Sequence, residues 1–88
     1  MFSFYRGLAN KALKNYAAAL ADFDKSDAVY EPGRQGAQLH RGDIYAVQGK
    51  RAEAVKAYQA AVNADTKSPV AGTARTRLAS LQKQKSRR

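Results

Sequence analysis

The sequence predicts an all-α fold of five helices, in which two antiparallel helical hairpins are followed by one capping helix. Apolar residues recur at three- and four-residue steps along most of the chain, which is the spacing of one helix face. A small residue, a second small residue and an aromatic also return in the same order thirty-five residues apart, as Gly7, Ala19 and Phe23 and then as Gly42, Ala54 and Tyr58. Such a repeat indicates a helical hairpin that stacks on a copy of itself to bury its apolar face.

Interruptions of the periodicity divide the chain into its helices. We predict helices over residues 2–14, 16–30, 37–48, 51–64 and 70–84. The strongest break is the segment 31–36, where Pro32 removes a backbone donor and two glycines accept unusual conformations. Gly49 suits the left-handed end of the third helix, while Ser68 and Pro69 suit the N-cap and first position of the fifth.

Composition limits the classes of protein that this chain can belong to. Eighty-eight residues with 44% hydrophobic and 26% charged side chains are typical of one small globular domain. Because the chain has no cysteine, it has no disulfide, no thiolate metal site and no cysteine nucleophile. The formal net charge is +9, and residues 67–88 hold seven of the sixteen basic side chains and no acidic one.

Targeting signals are not evident in the sequence. No run of about 18 apolar residues is present, so we expect no membrane-spanning helix. Residues 1–6 lack the charged start and long apolar stretch of a secretory signal. We therefore expect a cytoplasmic protein, or a periplasmic one if a signal sequence has been removed.

Residue types that carry catalysis do not converge in this sequence. His40 is the only histidine and has no cysteine or second histidine beside it, so we expect a structural or surface role. Asp22, Asp24 and Asp27 resemble a carboxylate cluster, but a helix directs positions 22 and 24 to different faces, which favours a solvated surface. We predict no catalytic residue, no metal and no cofactor, and a chain that is not an enzyme.

The repeated spacing resembles the tetratricopeptide repeat family, whose unit of about 34 residues is a pair of antiparallel helices, A and B. The second copy matches the family pattern at Gly42, Tyr45, Gly49, Ala54, Tyr58 and Ala61. The first copy keeps Gly7, Tyr16, Ala19, Leu20, Phe23 and Pro32 but departs from the pattern at Asn10 and Ser26, which should weaken its packing. The resemblance implies a solenoid of repeats at about 2–33 and 36–67 and a capping helix at about 69–84. We expect residues 85–88 to form a frayed basic tail.

The resemblance also implies a function, because the family binds peptides or proteins in a concave groove lined by the A helices and performs no chemistry. By analogy, the groove would be lined by Phe4, Leu8, Lys11, Ala12, Leu39, Asp43, Ala46 and Val47, with Arg75 closing one side. Phe4, Leu8 and Leu39 are equally well interpreted as core or dimer contacts. A carboxylate clamp known in part of the family is not supported, since Phe4 and Leu8 hold its positions in the first copy.

Two repeats are fewer than the three that a free-standing array usually needs. The missing neighbour could be a second copy of the chain, a helix from a partner, or the rest of a longer protein. We favour a homo-oligomer formed through the N-terminal end, because Phe2, Phe4 and Tyr5 would have nothing before them to bury their rings.

The basic end of the chain suggests a second kind of partner. Nucleic acid or an anionic membrane surface would be attracted by Arg75, Lys83, Lys85, Arg87 and Arg88. The alternative, which we favour, is a solvated helix end whose basic side chains suit the negative pole of the helix.

Overall fold

The computed structural model describes residues 3–28 and 35–86, which form five α-helices and no β-strand. The helices are α1 (Ser3–Ala12), α2 (Tyr16–Ala28), α3 (Gln35–Val47), α4 (Arg51–Ala64) and α5 (Pro69–Ser86). Each end lies within two residues of its predicted position, and the all-α prediction is confirmed. The predicted break at Pro32 and the two C-terminal arginines lie outside the described residues.

Consecutive helices pack on one another through the described part of the chain. Helices α1 and α2 form the first hairpin and α3 and α4 form the second, while α5 packs on α4 and also reaches α3. Helix α3 contacts both helices of the first hairpin, so it joins the two hairpins. None of the described helices combines the length and the apolar character that crossing a lipid bilayer requires.

The turns that close the two hairpins have the same geometry. Lys14 and Gly49, thirty-five residues apart, both have left-handed backbones, with φ of 64° and 79°. In each turn the next amide donates to a carbonyl five residues back, Asn15 to Asn10 and Lys50 to Tyr45, both at 2.8 Å. This is the bonding of a Schellman C-terminus, in which glycine is the residue without a steric penalty. The predicted left-handed conformation of Gly49 is confirmed.

In each hairpin, an aromatic ring of the second helix packs against a glycine of the first. A methyl group placed on Gly7 would lie 2.7 Å from a ring carbon of Phe23, and one on Gly42 would lie 2.5 Å from a ring carbon of Tyr58. Both rings are buried, with exposures of 0% and 2%. The glycines therefore let the paired helices approach closely enough for an aromatic ring to fill the space between them.

The buried side chains form two clusters, one between the hairpins and one beneath α5. The first comprises Phe4, Ala19, Phe23, Ala37 and Ile44. The second comprises Leu39, Ala54, Tyr58, Ala61, Ala74 and Leu81, with Tyr45 packed against it. Helix α5 thus covers the apolar face of the second hairpin. Its first turn is capped as predicted, because the Ala71 amide donates to the Ser68 hydroxyl at 3.1 Å.

Candidate functional site

The polar centre of the molecule is the carboxylate of Asp43 on α3. Its side chain is only 16% exposed. It accepts hydrogen bonds from the Tyr58 hydroxyl at 2.5 Å and from the Arg77 guanidinium, and it lies 3.3 Å from the Lys11 ammonium. These partners come from α4, α5 and α1. A single carboxylate therefore ties four helices together.

The charges of this cluster determine its protonation. Burial acts to raise the pKa of Asp43, but the hydrogen bonds from Arg77 and Tyr58 and the charge of Lys11 outweigh it and hold the pKa below the ordinary value of 3.8. Burial and the hydrogen bond to Asp43 both raise the pKa of the Tyr58 hydroxyl. At neutral pH the carboxylate is therefore ionised, and the hydroxyl keeps its proton and donates it.

His40 lies beside this cluster, at the junction of the two hairpins. Its ring stacks on Phe23 with centroids 5.6 Å apart and planes 16° apart, and its Nδ1 is 2.9 Å from the Lys11 ammonium. Burial and the charge of Lys11 lower the pKa of His40 below 6.5. The imidazole is therefore neutral at pH 7, and its Nδ1 accepts a hydrogen bond from Lys11. In the described residues this histidine has a packing role and joins no cluster of metal ligands.

The Asp43 cluster forms the floor of a groove of about 460 Å³ that we call the A-helix groove. The groove is lined by Lys11, Tyr16, Asp43, Ile44, Ala46, Val47, Tyr58, Arg77, Ser80 and Leu81. Helices α1, α3 and α5 contribute most of these side chains. A smaller adjoining cavity of about 210 Å³ shares Ala46 and Leu81 with the groove and adds Gly49 and Arg51.

Four of the side chains predicted to line a groove lie together in this one. They are Lys11, Asp43, Ala46 and Val47. Val47 is an exposed aliphatic side chain, at 68% exposure. Ala12 is exposed on α1 but does not line the groove, and Leu8 is half-buried against the core between the hairpins.

Three other predicted groove residues have different surroundings and do not line this groove. Phe4 and Leu39 are each only 9% exposed and belong to the two core clusters. Phe4 is buried because its ring packs on Phe23 of α2, so it is also not an uncovered aromatic at the N-terminal end. The guanidinium of Arg75 donates to the Thr66 carbonyl at 2.8 Å, at the turn before α5.

Arg77 lines the groove although it is not among the side chains predicted from the sequence to do so. The buried residues Ala74 and Leu81 lie three positions before it and four after it. That spacing puts Arg77 on the same side of the helix. Its position at the edge of the apolar stripe was the available signal. The repeat pattern predicts the packing of the Tyr58 ring but not the hydrogen bond that its hydroxyl donates to Asp43.

Asp22, which was predicted to lie on a solvated surface, and Arg41 both have polar partners. Asp22 is 7% exposed and accepts hydrogen bonds from Arg6 at 2.9 Å and Asn10 at 2.8 Å, so it is not part of a solvated face. The side chain of Arg41 is only 21% exposed and donates to Gln38 at 3.0 Å and to the Tyr45 hydroxyl at 3.1 Å. The buried carboxylate of Asp22 is therefore hydrogen-bonded, as buried polar groups require, and the half-buried guanidinium of Arg41 donates to two side chains.

The two ends of the chain are described only in part. Tyr5 on α1 is 54% exposed and Leu13, in the turn after α1, is 70% exposed, while Phe2 lies outside the described residues. Lys83 is exposed on α5, and the side chain of Lys85 lies outside the described part. Binding of nucleic acid or membranes by the basic end therefore stays a prediction from the sequence.

Comparison with protein-family models, with curated proteins and with solved structures finds no match to this chain.

Proposed function

We propose that this chain is a non-enzymatic protein-interaction module of the tetratricopeptide type, which binds a peptide or protein segment in the A-helix groove. The observation that carries the proposal is an open groove in which exposed Val47 adjoins a fixed polar floor around Asp43. Binding sites commonly combine an apolar wall with a few well-placed polar groups. The partner is a protein or peptide, and no cofactor is needed.

The repeat contacts support the proposed family. Glycine lies against an aromatic ring at the same position of both hairpins, and the left-handed residue recurs at the same spacing. Contacts that recur at a fixed interval are the property that defines helical repeat proteins. Helix α5 would then be the terminal cap, because it covers the second hairpin and presents Gly72, Thr73 and Thr76 outward.

The chemistry of the floor favours binding over catalysis. The Asp43 carboxylate is occupied by three donors, which leaves it a poor general base. Tyr58 has a raised pKa, so its hydroxyl is a poor nucleophile or base. The cluster is suited to holding four helices and the groove that they form in one geometry.

The proposal is tested by selecting peptides from a displayed random library and mapping the best binder by amide NMR shifts. We expect the largest shifts at Lys11, Ala46, Val47, Arg77 and Ser80. Val47→Glu should weaken binding at least about tenfold, because it replaces the aliphatic side chain of the apolar wall with a charged one that a bound segment would have to desolvate. Gln59→Glu is the matched control, since this exposed α4 residue does not line the groove. Shifts confined to other surfaces, or equal effects of both variants, would contradict the proposal.

We also propose that the outer face of the first hairpin pairs with a second copy of the chain. Ala9 of α1 and Leu13 in the turn after it are exposed, whereas Ile44, thirty-five residues after Ala9, is fully buried between the hairpins. The same position of the repeat is thus covered in one copy and uncovered in the other. Sedimentation should give a mass above that of one chain at high concentration, and Leu13→Glu should return it to the monomer. An unchanging monomer mass would refute this pairing.

A further inference from the structure

We infer that the segment bound in the A-helix groove is an acidic peptide that also carries an aliphatic side chain. The inference rests on the proposed function, because it specifies the chemistry of the partner at the same site. Three features of the groove carry it: an excess of cations, the separation of other carboxylates from the site, and an apolar wall beside the cations.

Positive charge predominates along the groove. Lys11 and Arg77 line it, and Arg51 lines the adjoining cavity, against the single carboxylate of Asp43. Asp43 already receives bonds from Lys11 and Arg77, so much of its negative charge is compensated within the protein. An ammonium has three N–H donors and a guanidinium has five. Since the side chains of Lys11 and Arg77 are 28% and 44% exposed, both cations can still donate to a ligand.

The remaining described acidic side chains lie elsewhere in the molecule. Three of them, Asp22, Asp24 and Asp27, contact residues of the first hairpin or of its junction with the second. Glu53 lines a separate cavity, and Asp65 lies in the turn before α5. None of these carboxylates lines the groove or its adjoining cavity. A ligand in the groove therefore meets local positive charge, which favours an anionic partner.

The wall of the groove distinguishes a peptide from a simple polyanion. Ala46, Val47 and Leu81 lie beside the cations, and Ala46 and Leu81 also line the adjoining cavity. A phosphate backbone gains nothing from this aliphatic surface, whereas a Leu, Ile or Val side chain would bury there. An acidic segment that includes one such side chain satisfies both features, so we favour it over nucleic acid.

The experiment compares matched short synthetic peptides by fluorescence anisotropy with the full chain. The reference probe mixes Asp and Glu with Leu, and two relatives replace the acidic residues by Gln or the Leu residues by Ser. We expect the reference to bind at least about tenfold more tightly than either relative, because each loses one of the two attractions. Its affinity should also fall as salt screens the charges.

Variants of the protein identify the cation involved. Arg51→Gln should weaken the reference probe about two- to fivefold, the range of a single partly exposed ion pair. Lys56→Gln is the matched control, because it removes one exposed charge from the same helix at a residue that does not line the groove. Circular dichroism of both variants checks that helicity is unchanged.

The outcomes separate this inference from the proposed function. Equal binding of the acidic and Gln peptides, with NMR shifts still in the groove, would overturn the acidic preference and leave the groove as a peptide site. Equal binding of the Ser and Leu peptides, together with competition by single-stranded RNA, would replace the peptide by a general polyanion. If no peptide shifts the groove resonances, both the inference and the proposed function fail.

Discussion

The first and second hairpins are built on the same contacts, yet different side chains complete them. In the first, Asp22 is buried and held by Arg6 and Asn10, whereas Ala57 lies at the equivalent position of the second. The left-handed turn residue is Lys14 in the first and Gly49 in the second. Polar groups are tolerated inside the first hairpin because each finds a hydrogen-bond partner.

Comparing the two hairpins shows which structural features they share. The close approach of a glycine to an aromatic ring and the left-handed turn occur in both hairpins, so the backbone geometry depends on them. At two other buried positions, Asp22 and Ser26 of the first hairpin correspond to alanines of the second. We expect the first hairpin to be the less stable half, because it holds a strained turn and a buried charge.

The largest expected loss of stability comes from adding a methyl group to a glycine that packs against an aromatic ring. Gly42→Ala should lower the free energy of unfolding by about 2 kcal/mol, since its methyl group would overlap the Tyr58 ring. Gly7→Ala should cost less, about 1 kcal/mol, because the overlap with the Phe23 ring is smaller and that ring has no hydroxyl bonded to a carboxylate. Urea denaturation followed by circular dichroism measures both changes.

Gly72→Ala is the control for these two substitutions. Gly72 lies within α5, and nothing lies within 4 Å of a methyl group placed there. Alanine should therefore stabilise the chain by up to about 1 kcal/mol through helix propensity alone. If Gly42→Ala were also stabilising, the close packing of α3 on α4 would not be the basis of the repeat.

The junction of the two hairpins should respond to pH. His40 has a lowered pKa when folded, caused first by burial and then by Lys11, partly opposed by Asp43. At pH values between that pKa and about 6.5, the unfolded chain binds more protons at His40 than the folded chain does. The free energy of unfolding should therefore be highest above about pH 6.5 and should decrease as the pH falls below that value. Urea midpoints measured from about pH 7.5 to about pH 5 should follow this decline.

His40→Phe separates this effect from the titration of carboxylates. The variant keeps an aromatic ring for stacking on Phe23 but has no proton to gain, so its stability should be flat across that window. Asp43 has a lowered pKa, and its contribution is present above its ordinary 3.8 and lost only at more acidic pH. An unchanged pH dependence in the His40→Phe variant would show that another group controls it.

Substitutions in the two hairpin turns should change the free energy of unfolding by smaller amounts and in opposite directions. Lys14→Gly should stabilise the chain by about 0.5–1 kcal/mol, because it removes the steric cost of a left-handed lysine. Gly49→Ala should destabilise by about 1 kcal/mol for the same reason, although nothing crowds that position. Equal and opposite changes in the urea midpoint would show that the turns are equivalent. No gain from Lys14→Gly would mean that the turn of the first hairpin is not strained.

The helices were predictable from the sequence because their signals are local. Apolar periodicity, the Ser68 cap and Gly49 act within one or two turns, and the described helices agree with them closely. The Asp43 cluster was not predictable, since its partners Lys11 and Arg77 lie 32 and 34 residues away in sequence. Such contacts depend on how the helices rotate against each other, which periodicity does not determine.

Burial of aromatic side chains shows the same limit within one helix. Phe4 and Tyr5 are neighbours and were given the same environment, yet Phe4 is 9% and Tyr5 is 54% exposed. One residue corresponds to a rotation of about 100° around a helix. The direction of α2 and α3 relative to α1 therefore decided which ring entered the core.

The smallest expected effect tests whether a polar residue in the first hairpin is needed at all. Ser26 is fully buried, and its hydroxyl donates to the Phe23 carbonyl at 2.9 Å, while Ala61 occupies the equivalent position of the second hairpin. Ser26→Ala removes one hydrogen bond but leaves no buried donor unpaired and gains helix propensity, so stability should change by less than about 0.5 kcal/mol. Ala61→Ser, the reverse change, should cost more, because a hydroxyl would enter the apolar cluster that α5 covers. Urea denaturation of the two variants compares the sites directly, and a loss above about 1 kcal/mol for Ser26→Ala would mean that the first hairpin depends on its buried polar contacts.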